Sequence, residues 1–400
     1  MRAAPVDIYY NRKIKCWSTL HQTDLTFGSN KEKLSTISSI TSDCIAFQIS
    51  QTKNNIGPII GILVSYNKKN KLSGNGPLFI NLQKELTKLG GIVIIFAPED
   101  ISETEVAGFV LDPKENRWIH VKSPLPHVVY NRIPFRKTEK QKPYQHAVQF
   151  FANKNIPFFN PSFLNKYEIY TFFKEHPVLK PFLPPTMLIT DQNVLYDFLK
   201  KHKNIYIKPV EGKKGNKIIN IKINQDDSIT AKTPKETKEF STFIHFWNYF
   251  NSTNDPPSYI AQKTIEAAKY NGHRYDFRLL ILYDKDKYVL KGVGIRQSVS
   301  QEITTHIPNG GQLLPYHALR TQSHDHFIDT LVKYCGDCLS NQLGFFGEFS
   351  IDACVDIYGN YYLFEINSKP MLFDELDIEQ ARCTQLAKLC YQLGNFNIPE

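Results

Sequence analysis

The chain has 400 residues and a formal net charge of +9, which is too long for one ordinary core, and its 42% hydrophobic and 22% charged content excludes a disordered or fibrous protein. The positive excess is spread along the chain with no recognition motif beside it, so nucleic acid is not an expected partner. No run approaches the ~18–20 apolar residues of a membrane span and the first residues contain no apolar signal core, so a cytoplasmic location is expected. The seven cysteines, with a single C-x-x-C at Cys335 and Cys338 inside an expected helix, read as reduced thiols.

Residues 1–55 are polar and Ser/Thr-rich, and "DIYYNRKIKCW" and "DCIAFQIS" read as short strands of a small β element. "KNNIGP" reads as a linker. "PIIGILVSY" (58–66) is a short continuous apolar run of the kind found in buried parallel strands. "LFINLQKELTKLGG" has helical spacing and stops at Gly90-Gly91. "IVIIFAPED" (92–100) is the next buried strand, completing a βαβ unit, and "HVVYNRIP" (127–134) another. An open α/β domain is therefore expected over 56–155. "NKNIPFFNP" (153–161) reads as a crossing segment. Residues 164–176 read as a helix ending before Pro177, 193–204 as a helix and 205–210 as a strand. "SYIAQKTI" is a further strand. "YDFRLLILYD" and "YVLKGVGIRQSV" are expected to pair as a hairpin. A helix over 323–343 precedes a second hairpin, "GFFGEFSIDACVDIYGNYYLFEINSKP" (344–370), turning near Tyr358-Gly359-Asn360.

The second hairpin places polar groups where an apolar strand is expected. Glu365 and Asn367 are two apart, so they share a face. A loop of two or four residues centred on Tyr358-Gly359 sets Asp352 opposite Glu365, with Cβ atoms about 5 Å apart. Two carboxylates so placed repel unless a cation lies between them. With the Asn367 amide oxygen they form a hard-oxygen set suited to Mg²⁺. Glu348 and Asp356 share that face by parity and are alternative or supporting ligands. An exposed polar hairpin face is the competing reading.

Other features are ambiguous taken singly. Lys208 lies in an apolar strand before a loop containing Gly212 and Gly215, which permits backbone N–H groups to approach phosphates; a solvent-facing hairpin would present the same pattern. Gln262 and Lys263 lie in the strand "SYIAQKTI", which the acid Glu266 follows. Asp276 and Arg278 are two apart, and Arg296 sits on the neighbouring strand, which equally describes a local ion-pair set. Asn309, Gly310 and Gly311 form a loop permissive for close backbone approach.

Taken in chain order, these features resemble the ATP-grasp superfamily over about 156–370. "IGILVS", "LPPT", "GHRYDFR", "NGG" and "FEINSKP" resemble the YheC/YheD family of endospore coat-associated proteins. The resemblance implies an ATP-grasp fold over 156–400, with two subdomains divided near residue 258, behind an α/β domain over 56–155 and the small β segment 1–55. It implies that Lys166 and Lys208, with Gly212 and Gly215, contact ATP phosphates. Gln262 and Lys263 match the adenine hinge and Glu266 the ribose acid. Asp352, Glu365 and Asn367 match ligands of Mg²⁺ (or Mn²⁺). Arg278 and Arg296 match arginines that hold the transferred phosphoryl group and the carboxylate, and Asn309 the loop near the acyl-phosphate. The implied activity joins a small-molecule or peptide carboxylate to an amine, or less often a thiol. The alternative is a nucleotide-binding but inactive protein with a structural role in the spore coat, where spore-coat proteins are the partners.

Overall fold

The computed structural model describes residues 5–20, 24–212, 217–298 and 311–398. The apolar runs at Ile59–Leu63 and Ile92–Phe96 pair in parallel, joined by the helix Gly76–Leu89. That helix begins on the Asn75 side chain and ends at Gly90, whose left-handed φ of 81° turns its N–H back onto Leu86 and Thr87. Val128–Asn131 lies parallel to Ile59–Leu63 on its other side. The expected crossing segment instead contributes Phe158–Phe159 as a fourth parallel strand. Two antiparallel strands, Glu105–Leu111 and Trp118–Pro124, extend the sheet beyond Ile92–Phe96. The N-terminal residues form two small sheets, one built on Val6–Asn11, Cys16–Thr19 and Cys44–Ile49. Ile8, Tyr10 and Trp17 join Ile94, Phe96 and Phe151 in one core. The segment expected to be a linker carries a short strand, Asn55–Ile56.

Two six-stranded antiparallel sheets make up the rest. The middle sheet runs, edge to edge, Thr186–Leu188, Tyr259–Lys263, Asn204–Pro209, Ile219–Ile223, Ile229–Lys232 and Thr237–Phe240. Ile205 and Ile207 point into a core with the helices Gln192–His202 and Phe243–Thr253. Alternation therefore turns Tyr206 and Lys208 to the opposite face. In the C-terminal sheet, Gly311–Leu314, Lys287–Ser298, His273–Asp284, Glu348–Val355 and Tyr361–Asn367 are consecutive neighbours. Phe277, Leu279, Phe349 and Ile351 pack on one face with the helix Gln322–Leu343. On the other face Leu280 and Leu282 meet the helix Leu376–Leu393. Among the described residues, no helix is long and apolar enough to cross a membrane. All seven cysteines are unbridged.

A buried charge cluster joins the parallel sheet to the C-terminal sheet. Glu348 is fully buried. It accepts from Arg382 Nε at 2.7 Å, Arg382 Nη2 at 2.8 Å, Arg132 Nη1 at 2.9 Å and the Tyr130 hydroxyl. Both arginines also donate to the Pro370 carbonyl, at 2.9 and 3.2 Å. Burial pushes the Glu348 carboxyl pKa up, but Arg382 and Arg132 outweigh it and hold it below its usual value. Glu348 is thus a structural anion and not an alternative metal ligand. Beside it, Asn160 donates to the Glu348 carbonyl at 2.8 Å and to the Ser368 carbonyl, and accepts from Gly347 N–H at 2.9 Å.

Removing one partner of such a cluster leaves uncompensated buried charge. E348Q is expected to lose about 3–5 kcal/mol in urea unfolding. Because the native pKa is lowered, the stability Glu348 contributes is present above its unfolded value, about 4.3, and is lost as the pH falls through the native pKa. Wild type should therefore lose more stability on acidification through that range than E348Q. A loss within about 0.5 kcal/mol, the scale of surface substitutions, would show that the cluster does not hold the sheets together.

Candidate functional site

The hairpin reaches the expected pairing by an unexpected route. Asp356 caps a five-residue turn: its carboxylate accepts from Tyr358 N–H at 2.9 Å and Asn360 N–H at 2.8 Å. Asp356 is therefore engaged in the turn and is not a metal-ligand alternative. From that turn Val355 pairs with Tyr361, Cys354 with Tyr362 and Ala353 with Leu363, a register that would set Asp352 opposite Phe364. A β-bulge at Phe364 shifts the pairing by one, so that Asp352 faces Glu365 and Ser350 faces Asn367. Without the bulge Glu365 would point into the core.

The neighbouring strand completes the row. Arg278 lies directly across from Asp352, and Asp276 across from Arg296. The Asn367 amide lies 3.3 Å from Asp352 Oδ2. Arg278 and Arg296 are both mostly buried. Arg278 Nη2 donates to the Met371 carbonyl at 3.2 Å, and its guanidinium stands 4.4 Å from the Phe373 ring centroid. Arg296 Nη2 lies 3.9 Å from Asp374 Oδ2.

Two cations reach this face from elsewhere in the chain. Lys166 opens the helix Lys166–Glu175, which Asn165 caps by accepting from Tyr167 N–H at 2.9 Å and Glu168 N–H at 3.2 Å. Ile169 and Phe173 bury its apolar side, and Pro177 prevents its continuation. Lys166 Nζ sits 2.9 Å from Glu365 Oε1 and donates to the Gly212 carbonyl at 2.8 Å. Lys208 projects from the middle sheet, donates to Gln262 Oε1 at 2.6 Å and lies 5.6 Å from the Phe364 ring centroid. Burial pulls Lys208 down to about 8, against the opposing pull of the Glu365 carboxylate; the Lys166 charge lowers it further. Phe364, the bulged residue, therefore lies between the sheets beside Lys208.

The remaining expected residues are placed less uniformly. Gln262 is buried, holding Lys208 through its oxygen and donating to Thr186 Oγ1 at 3.0 Å. Lys263 N–H donates to the Pro185 carbonyl at 2.9 Å and Thr264 N–H to the Asn204 carbonyl at 3.1 Å, so neither amide is turned to the cleft. Glu266 is exposed on the segment that crosses to the C-terminal sheet, where its carbonyl accepts from Ile357 N–H at 3.0 Å. Gly215 and Asn309 lie outside the described residues. Between the sheets, Ile169, Leu183, Ile260, Phe364 and Ile366 line a narrow apolar cleft bordered by Lys166, Gln262 and Glu365.

Among the described residues no three His, Cys, Asp or Glu side chains gather as a metal cluster. The register sets Asp352 against Glu365, and Asn367 turns its amide nitrogen to Asp352 Oδ2; two carboxylates and an amide are the side-chain types a hard divalent cation takes, together with oxygens from a ligand. Sequence reading missed Arg132, Arg136, Glu139, Asn160 and Lys369. Lys369 is held by Glu139 and by the Ile133 carbonyl at 3.2 Å, and burial pulls it down to about 8 against the attraction of Glu139. The "NSKP" motif contained its signal: a lysine inside a hairpin end otherwise buried.

Three comparisons bear on this geometry. Residues 155–393 match the family described as YheC/D like ATP-grasp. The chain is 27% identical over 332 residues to the endospore coat-associated protein YheD of Bacillus subtilis, covering 79% of this chain and 73% of that protein. It is 22% identical over 306 residues to YheC of the same organism, covering 72% of this chain and 83% of YheC. Among solved structures, D-alanyl-alanine synthetase A from Vibrio cholerae aligns with a TM-score of 0.51 at 10% identity, covering 85% of this chain and 98% of that one, a likeness of fold alone. With the match spanning both antiparallel sheets and the cleft between them, the chain belongs to the YheC/YheD-like ATP-grasp family.

Proposed function

We propose that the protein is an ATP-dependent ligase that joins a carboxylate to an amine through an acyl-phosphate. The observation that supports this most is the convergence of Lys166 and Lys208 on the cross-strand row Arg278, Asp352 and Glu365. Phosphoryl transfer to a carboxylate depends on positioning and charge neutralisation more than on acid–base side chains. In this reading the adenine enters the apolar cleft and the phosphates run toward Lys166 and Lys208. Asp352, Glu365 and Asn367 would hold Mg²⁺ or Mn²⁺, which neutralises phosphate charge when bound. Glu365 would exchange its Lys166 partner for the metal, freeing the ammonium for a phosphate oxygen. A substrate carboxylate oxygen bonds to the γ-phosphorus, and ADP leaves with the electron pair of the broken P–O bond. The amine nitrogen then bonds to the acyl carbon, phosphate departs, and the nitrogen loses a proton. Arg278 and Arg296 stabilise the anionic oxygens in both steps.

The names of the two Bacillus subtilis relatives support a setting at the endospore coat, with coat-associated peptides or cell-surface precursors as the acid. A nucleotide-binding protein without turnover, acting structurally in the coat, is the alternative. Its observable difference is ATP binding with no acid-dependent release of ADP.

Two measurements test the proposal. E365Q should bind Mg·ATP at least about tenfold more weakly, the loss expected for one charge-assisted contact, and should show no ADP release with acids and amines that wild type turns over. Equal binding and turnover in E365Q would refute the assignment. Lys208 offers a pH test. Its ammonium is half deprotonated near pH 8, so Mg·ATP affinity should be flat well below that value and fall as the pH rises through it, by up to a factor of ten per unit. K208R, which stays charged, should remove that dependence. An unchanged profile in K208R would place the titrating group elsewhere.

A further inference from the structure

A second opening, a cavity of about 310 Å³, lies beside the cleft, lined in part by Arg136, Tyr144, Val148, Phe163 and Glu211. Its residues follow the carboxyl ends of the parallel strands Val128–Asn131 and Phe158–Phe159, which is where open α/β sheets bind ligands. Its volume is at the lower end of the range for small-molecule sites.

The charged groups of this cavity are committed to partners, with one exception. Glu139 accepts from Lys369, from Asn131 Nδ2 at 2.9 Å and from Phe163 N–H at 2.9 Å. Glu211 is paired with Lys140 at 2.8 Å. Arg136 lies 4.9 Å from the Phe163 ring centroid, and its Nε is buried with no hydrogen-bond partner among the described residues. A buried guanidinium N–H left unpaired is unfavourable unless a ligand supplies the acceptor. The planar fork of Arg matches a carboxylate.

The cavity also adjoins the phosphoryl-transfer residues. Glu211 precedes Gly212, whose carbonyl holds Lys166, and Lys166 pairs with Glu365. The carboxylates of Glu211 and Glu365 both act on the Arg136 charge. Arg278 and Arg296, by contrast, are already turned toward the Met371 carbonyl and Asp374.

We propose that this cavity receives the acid substrate, a small molecule or a peptide end, and that Arg136 binds its carboxylate beside the ATP γ-phosphate. This rests on the ligase reading. The full-length protein is tested by saturation-transfer NMR against acetate, succinate, the twenty common α-amino acids and alanyl-alanine, each compared with its amide. At least one acid should bind wild type while its amide does not. R136A should weaken that acid by about 10- to 100-fold, the range for losing a hydrogen bond to a charged group, and R136K should fall in between. V148W, which fills the cavity and leaves Arg136 in place, should abolish acid binding while retaining Mg·ATP affinity, which also reports that it is folded. Binding of none of the acids, or acid binding that survives R136A or V148W, would overturn the proposal. Failure of wild type to bind Mg·ATP while an acid binds in an Arg136-dependent way would remove the ligase reading and leave this site standing.

Discussion

The structure depends on one buried carboxylate. Glu348 is taken fully out of water, a placement that is strongly unfavourable for an isolated anion. Arg132 comes to it from the end of a parallel strand, Arg382 from the C-terminal helix and Tyr130 from the sheet interior. Two separately built parts of the chain, the parallel sheet and the C-terminal helix, are thereby fixed to the first residue of one strand. The carbonyl of Pro370, at the far end of the same hairpin, is held by the same two arginines. The hairpin that presents Asp352, Glu365 and Asn367 is thus anchored at its base on both strands.

Glu348 and Asp352 lie four residues apart on one face of one strand and have opposite fates. The first is enclosed by cations and is structural. The second lies between Arg278 and Glu365 on its two neighbouring strands, with the Asn367 amide 3.3 Å away. The difference comes from what the opposite elements bring: the parallel sheet and the C-terminal helix cover one end of the face, and the middle sheet approaches the other without filling it. Lys208 shows the tension in that cleft. Burial removes part of its charge, and the carboxylates around Glu365 return part of it. A polyanionic ligand would relieve the same tension more completely.

Much of this was legible in the sequence, for identifiable reasons. Continuous apolar runs and the Gly90-Gly91 stop disclosed the βαβ unit, because a doubly covered strand has no polar face to hide. The isolated polar residues at Lys208, Asp276, Arg278, Asp352, Glu365 and Asn367 stood out because each interrupts an apolar strand. The pairing of Asp352 with Glu365 came from a symmetric loop, whereas the chain reaches it through an odd turn corrected by the bulge at Phe364. A bulge has no periodic signature, so that route was not readable. Arg132, Arg136, Glu139 and Asn160 were invisible for a related reason. Their partners lie up to 238 residues away, and nothing local marks a charge as buried. The strand Trp118–Pro124 and the helix Leu376–Leu393 mix polar and apolar residues too evenly to declare themselves.

The most direct measurement is a crystal structure of the protein with Mn²⁺ and a non-hydrolysable ATP analogue, using anomalous scattering to locate the metal. An anomalous peak bounded by Asp352, Glu365 and Asn367 is expected, with the base in the apolar cleft and Lys166 moved from Glu365 to a phosphate oxygen. A metal bound elsewhere, or a nucleotide bound with Lys166 still paired to Glu365 and no metal at these residues, would contradict it.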